Sequence, residues 1–130
     1  MSKGKKNHSI LNFDGLRSYC LARPGATLDF PFGPEVAVFR VAGKMFALCI
    51  PEQQPLKINL KCEPRLAELL REEYEAVVPG WHMNKRHWNT VTLGHDLPDA
   101  LVCDQIDRSY GLIVAGLPKK VRAELQAGSA

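Results

Sequence analysis

The sequence predicts an α+β fold, a two-layer sandwich with an antiparallel sheet and helices packed on one face. Three observations predict it. Lys57 to Lys61 and Trp88 to Leu93 alternate in side-chain character, as strands with one buried and one open face do. Phe13, Leu16 and Cys20, then Leu66, Leu70 and Tyr74, then Val102, Ile106, Tyr110, Ile113 and Leu117, recur at helical spacing. Ala42-Gly43 joins two apolar runs through a link short enough only for a hairpin.

Taken in order, the first helix starts near Asn12, an N-capping residue, and runs to about Arg23, where Pro24-Gly25 stops it. Asp29-Phe30-Pro31-Phe32-Gly33-Pro34 excludes regular structure, and its two phenylalanines predict a loop pinned onto the core. Val36 to Val41 and Lys44 to Ile50 form the hairpin. With a two-residue turn, Phe39 faces Phe46, and Ala37, Phe39, Val41, Phe46 and Leu48 share the helix side. Val38, Arg40, Met45 and Ala47 share the other side, and a bulge after Gly43 would shift this register.

After the loop at Pro51–Pro55 comes the strand Lys57–Lys61, with Ile58 and Leu60 inward and Lys57, Asn59 and Lys61 outward. A second helix has Pro64 in its first turn and Leu66, Leu69, Leu70 and Tyr74 inside. Val77-Val78 leads into Trp81-His82-Met83-Asn84-Lys85-Arg86-His87, with a turn at Asn84–Arg86. In the next strand Asn89, Val91 and Leu93 face one way and Trp88, Thr90 and Thr92 the other. A third helix runs from about Pro98 to Ala115, Gly116-Leu117-Pro118 breaks it, and a short terminal helix begins at Lys119.

A chain of 130 residues fits one domain, read here as 10–126 between a flexible basic tail (1–9) and a flexible end (127–130). The hydrophobic share of 45% and charged share of 24% are those of a soluble protein, and no apolar run is long enough to span a bilayer. The start of the chain lacks the apolar core of a secretory signal, so the expected location is the cytoplasm, with no membrane partner. The net charge of +3 comes from Lys3, Lys5 and Lys6; the body holds 14 basic against 14 acidic side chains. Any nucleic-acid footprint must then come from charge placement. Cys20, Cys49, Cys62 and Cys103 show no C-x-x-C spacing and read as free thiols in a reducing compartment.

His82 and His87 stand five apart, a poor spacing for one helix face, and no ligand motif joins them, so no metal or cofactor is expected. Ser109 lacks a nucleophile-elbow pattern, and no cysteine has a base beside it in sequence, although a Cys62–His82 pair stays open. No phosphate loop or dinucleotide fingerprint is present. The chain is therefore read as a non-enzyme.

Asp29-Phe30-Pro31-Phe32-Gly33-Pro34, Gly43-Lys44-Met45-Phe46-Ala47-Leu48, Asn59-Leu60-Lys61-Cys62, His82 through Val91, Ser109-Tyr110 and Leu117-Pro118-Lys119-Lys120 together resemble the MmcQ/YjbR family of small proteins to which DNA binding is attributed. The resemblance runs from about Leu11 to Arg122 and implies a CyaY-like fold and DNA binding. Glu63 stands where an aspartate cap is usual, and Gly111 and Gly116 where the last helix generally carries larger residues. The fold invites comparison with frataxins and iron, but the first helix carries only Asp14 against Arg17 and Arg23, which excludes that chemistry on charge.

DNA is the first partner read from the residues. Arg40, Lys57, Asn59, Lys61, Trp88 and Thr90 fall on the face away from the helices. Lys44 joins them from the hairpin tip, Lys85 and Arg86 from the turn, and Lys119, Lys120 and Arg122 from the C-terminal segment. Basic heads would hold phosphates while Trp88 or His87 stacks or wedges, with Trp81 buried. The alternative is a protein partner or small polar ligand on the same face, held by Asn59, His82, Asn84 and Asn89. A third reading is an enzyme built on His82 or His87.

Overall fold

Each apolar stripe becomes a helix and each alternating run a strand, with additions that the pattern did not signal. The structure, a computed structural model, describes residues 12–94 and 96–128, so the expected N-terminal tail and residues 129–130 lie outside the described residues. The order is α1 (Phe13–Leu21), β1 (Ala26–Asp29), β2 (Ala37–Val41), β3 (Lys44–Cys49), β4 (Lys57–Lys61), α2 (Pro64–Glu73), β5 (Val77–Pro79), β6 (Trp88–Thr92), α3 (Asp99–Ala115) and α4 (Lys119–Gly128). The six strands make one open antiparallel sheet in the order β1-β2-β3-β4-β6-β5. Among the described residues, no helix is long and apolar enough to cross a membrane.

Asn12 caps α1 as its side chain predicts, accepting the Gly15 N–H at 2.9 Å. Leu16 and Cys20 carry the helix onto the core. β1 had no counterpart in the sequence reading. It is a short edge strand whose pairing with β2 defines it, and Asp29 there receives the Arg40 guanidinium at 3.1 Å. In α2 the inward side chains are Ala67 and Leu70, while Leu69 is turned outward and 52% exposed, contrary to expectation. The 66/70/74 row leans on the sheet, and Leu69 sits off it. Gly116, where Gly116-Leu117-Pro118 is expected to break the third helix, is the C-cap of α3.

The hairpin register changes part-way along. Val41 pairs with Lys44 and Arg40 with Met45, but Phe39 then pairs with Ala47 and Val38 with Leu48. Phe46 is the extra residue of a bulge, so Phe46 and Ala47 both turn toward the helices and Leu48 moves to the open face. This corrects the expected facing of Phe39 and Phe46 as paired residues, though both rings are fully buried and 6.4 Å apart. Ser109 of α3 closes the gap beside the bulge. Its hydroxyl donates to the Phe46 carbonyl at 2.6 Å and accepts the Lys61 N–H at 2.9 Å.

The helix layer is tied to itself near its outer edge. The Tyr19 hydroxyl and the Arg23 guanidinium both bond Asp107, and Arg23 lies 4.1 Å over the Tyr19 ring. Burial, and next the bond to Asp107, push the Tyr19 hydroxyl up to about 12. Burial likewise pushes the Cys49 thiol up to about 12 and the Cys20 thiol higher still. These groups stay neutral in the folded chain while the unfolded chain ionises first, so their contribution is complete below the ordinary thiol value of 9.0 and is lost as pH climbs toward 12. Stability is expected to fall from about pH 9 upward; a urea midpoint unchanged between about pH 8 and about pH 11 contradicts this.

Candidate binding site on the open sheet face

The face away from the helices is not bare sheet. The chain leaving β5 crosses it at Gly80, and this crossing decides which tryptophan is displayed. A Cβ at Gly80 would lie 2.7 Å from the Trp88 Cβ and 2.9 Å from the Trp88 carbonyl oxygen, so only glycine permits the approach. The Gly80 N–H donates to that carbonyl at 2.8 Å. Trp88 is thereby buried, 9% exposed, while Trp81 is carried outward and 59% exposed. The expected roles of the two tryptophans are reversed.

Asn59 and Thr90 lie opposite each other on β4 and β6, on the open face as the alternation predicts. Both are buried, so neither is a free contact for a partner. The Thr90 hydroxyl donates to Asn59 Oδ1 at 2.5 Å and accepts the Trp81 N–H at 2.9 Å, and Asn59 Nδ2 donates to the Trp81 carbonyl at 3.1 Å. Trp81 is thus held through both its N–H and its carbonyl, and its indole is free to face solvent. His82 follows at φ 60°, a left-handed conformation that costs a non-glycine residue about 1–2 kcal/mol. Its ring lies 4.1 Å from the indole, tilted by 54°.

Two clefts of about 310 Å³ each share Trp81, Leu48, Ile50 and Asn59. One adds Gln53, Lys57, Val78 and Thr90; the other adds Phe32, Met45, His82 and Met83. Among the described residues, no carboxylate lines either cleft. Phe30 and Phe32, expected to pin their loop to the core, are 43% and 67% exposed. Apolar residues in a Pro/Gly-rich loop were the only sequence signal for this wall, and Leu48 was missed because the bulge set its side.

The remaining predicted residues divide. Lys57 lines the polar cleft, and Lys61 stands beside Trp88 in register, half-buried. Lys44 is exposed at the hairpin tip. Arg40 is engaged with Asp29 and with the Gly43 carbonyl. Lys85 Nζ donates to the Gly80 carbonyl at 3.0 Å, closing the turn. Asn84 serves the same turn, its Oδ1 accepting the Arg86 N–H at 2.9 Å and its carbonyl the His87 N–H at 3.2 Å. Arg86 is exposed and His87 half-buried, its carbonyl taking the Cys62 N–H at 2.8 Å. Asn89 does not belong to this face. It is buried beneath α2, where Arg71 Nε donates to its Oδ1 at 2.7 Å. Lys119 and Lys120 begin α4 in the helix layer and do not converge with Lys61 and Lys85.

Burial pushes the Cys62 thiol up, and Cys49, at the edge of the polar cleft, is raised for the same reason. Among the described residues, no group of three or more His, Cys, Asp and Glu side chains is placed to hold a metal ion.

The YjbR family model matches residues 21–112. The chain belongs to the YjbR family. It is 39% identical over 108 residues to the uncharacterised protein YbdF of Escherichia coli O157:H7, covering 83% of this chain and 88% of that one. To the uncharacterised protein YjbR of Escherichia coli K12 it is 36% identical over 107 residues, covering 82% and 91%. The fold is similar to the crystal structure of Deinococcus radiodurans protein DR2400, with its DUF419 domain, at TM-score 0.85 and 37% identity over 90% of this chain and 89% of that one. A crystal structure of a Pseudomonas syringae protein gives TM-score 0.68 and 29% identity over 78% and 97%. The span matched to the YjbR model contains the whole open face and Ser109; α4, with Lys119 and Lys120, lies beyond it.

Proposed function

We propose that the chain is a non-enzymatic binding module and that its open face takes DNA as unpaired bases, not as duplex. The observation that carries this reading is Trp81, exposed at its ring and pinned at its backbone by Thr90 and Asn59. A fixed, displayed indole offers a stacking platform to any base, and every base has a face to offer it. Lys57 and Lys61 flank the platform as phosphate contacts. Duplex binding through a broad basic surface has less support, because Arg40 and Lys85 are engaged internally and Lys119 and Lys120 sit in the other layer. Raised thiols at Cys49 and Cys62 favour a binding role over nucleophilic chemistry, which needs the thiolate.

Titrating a thymidine oligomer while following tryptophan fluorescence tests this. Trp81→Ala is expected to weaken binding by about 1–3 kcal/mol, the worth of one stacked base. Folding stability is expected to stay within about 0.5 kcal/mol, since an exposed ring is removed. Replacing Lys57 and Lys61 with glutamine should flatten the log–log salt dependence by about 1.4, two phosphates at the single-strand slope. A chain lacking residues 1–8 is measured alongside, because Lys3, Lys5 and Lys6 attract DNA without any folded site. Equal affinity for duplex and single strand, or Trp81→Ala binding as well as the parent, rejects the reading.

One observation favours a second reading, an apolar protein segment or small ligand on the same face. The cleft beside Trp81 is walled by Phe32, Val36, Met45, Leu48, Ile50 and Met83. Such an occupant would bind with little dependence on salt, and its capture in the absence of DNA affinity would replace the first reading.

A further inference from the structure

A second concavity lies in the helix layer, away from the open face. It is a cleft of about 600 Å³ between α3 and α4, within the range typical of small-molecule sites. Its floor is apolar, formed by Tyr110, Gly111, Val114 and Leu125. The Tyr110 hydroxyl is already engaged by the Pro24 carbonyl, so the floor receives its ring and not a free polar group. Gly111 makes the room: a Cβ there would meet nothing within 4 Å. At the mouth stand Lys119 and Arg122, one turn apart on α4, and among the described residues no carboxylate lines the cleft. The opposite wall is fixed, because Leu125 packs against Gly25, where a Cβ would lie 2.4 Å from its Cδ2.

An apolar trough with two cations and no anion at its rim is complementary to one kind of molecule. We infer that this cleft binds an amphipathic anion, a linear aliphatic chain ending in a carboxylate, with the chain along Gly111 and Val114 and the head at Lys119 and Arg122. The inference concerns a separate surface and stands or falls independently of DNA binding on the open face.

Calorimetric titration of the full chain with monomeric dodecanoate tests it, with decanoate, dodecanol and acetate for comparison. Dodecanoate is expected to bind at one site, about fourfold more tightly for each methylene than shorter homologues while the chain remains inside the cleft. Gly111→Leu fills the trough at an exposed helix position where leucine is the better helix former, so the fold is retained. That variant should lose at least about tenfold in affinity, the effect of about 1.4 kcal/mol. Lys119→Gln with Arg122→Gln should weaken dodecanoate and leave dodecanol unchanged, whereas Lys120→Gln, on a residue that does not line the cleft, should change neither. Binding to phosphatidylglycerol vesicles without binding to monomeric dodecanoate assigns the cations to a membrane surface and overturns the inference. So do dodecanoate affinity unaltered by Gly111→Leu, equal affinity for dodecanol and dodecanoate, and the absence of any binding.

Discussion

Phe46→Ala is expected to lower folding stability by about 3–5 kcal/mol, the range for a buried phenylalanine truncated in place. The ring has no exposed surface. It meets Phe39 at 6.4 Å and, edge to face at 86°, Tyr110 of α3 at 5.4 Å, so it fills the junction between sheet and helix layer. Aromatic pairs of this kind contribute about 0.5–1.5 kcal/mol beyond area burial. The surroundings cannot collapse into the space left behind. β3 is held between β2 and β4, and the bulge at Phe46 is fixed by the two hydrogen bonds of Ser109. The measurement is a urea denaturation midpoint with the slope unchanged. A loss below about 1 kcal/mol would mean that the ring is not seated as described.

The fold was legible wherever one residue type answered to one local environment. Lys57–Lys61 alternates because one side faces the helices and the other does not, and the observed register keeps Ile58 and Leu60 inside. Asn12 caps α1 through its own side chain, three residues from its partner. The bulge at Phe46 was not legible, because the hydroxyl that takes up its carbonyl belongs to Ser109, 63 residues away. β1 has only four residues and takes its identity from β2. The reversal of Trp81 and Trp88 has the same origin: both are large apolar side chains, and what separates them is a backbone crossing at Gly80. The candidate site was legible in position more than in role. Asn59 and Thr90 are on the predicted face, but they hold the Trp81 peptide instead of meeting a partner. The lysines gave the poorest guidance, because sequence does not reveal that Lys85 closes its own turn or that Lys119 begins a helix in the other layer.

Ser109→Ala is the second large effect, expected at about 2–6 kcal/mol, since an unpaired buried polar group costs about 1–3 kcal/mol and two are created. The bulge takes the Phe46 carbonyl out of the β3–β4 ladder, whose pairing spans only Ala47 to Cys49 against Ile58 to Leu60. The Lys61 N–H, one residue beyond, has no partner in β3 and donates to the Ser109 oxygen instead. A single fully buried hydroxyl thus completes both strands at the break, donating to one and accepting from the other. Alanine keeps the helix and the volume almost intact, so the loss reports the two bonds and not a cavity. Hydrogen exchange separates this from a general loss of stability. The Lys61 amide should exchange faster than its β4 neighbours under native conditions, which a uniform destabilisation does not produce. A loss under about 0.5 kcal/mol, with the Lys61 amide still protected, would show that the ladder closes without Ser109. The consequence reaches the open face because Asn59, two residues along the same strand, holds the Trp81 carbonyl. Loosening the end of β4 should therefore also alter Trp81 emission, linking a serine under the helices to the indole displayed on the other side of the sheet.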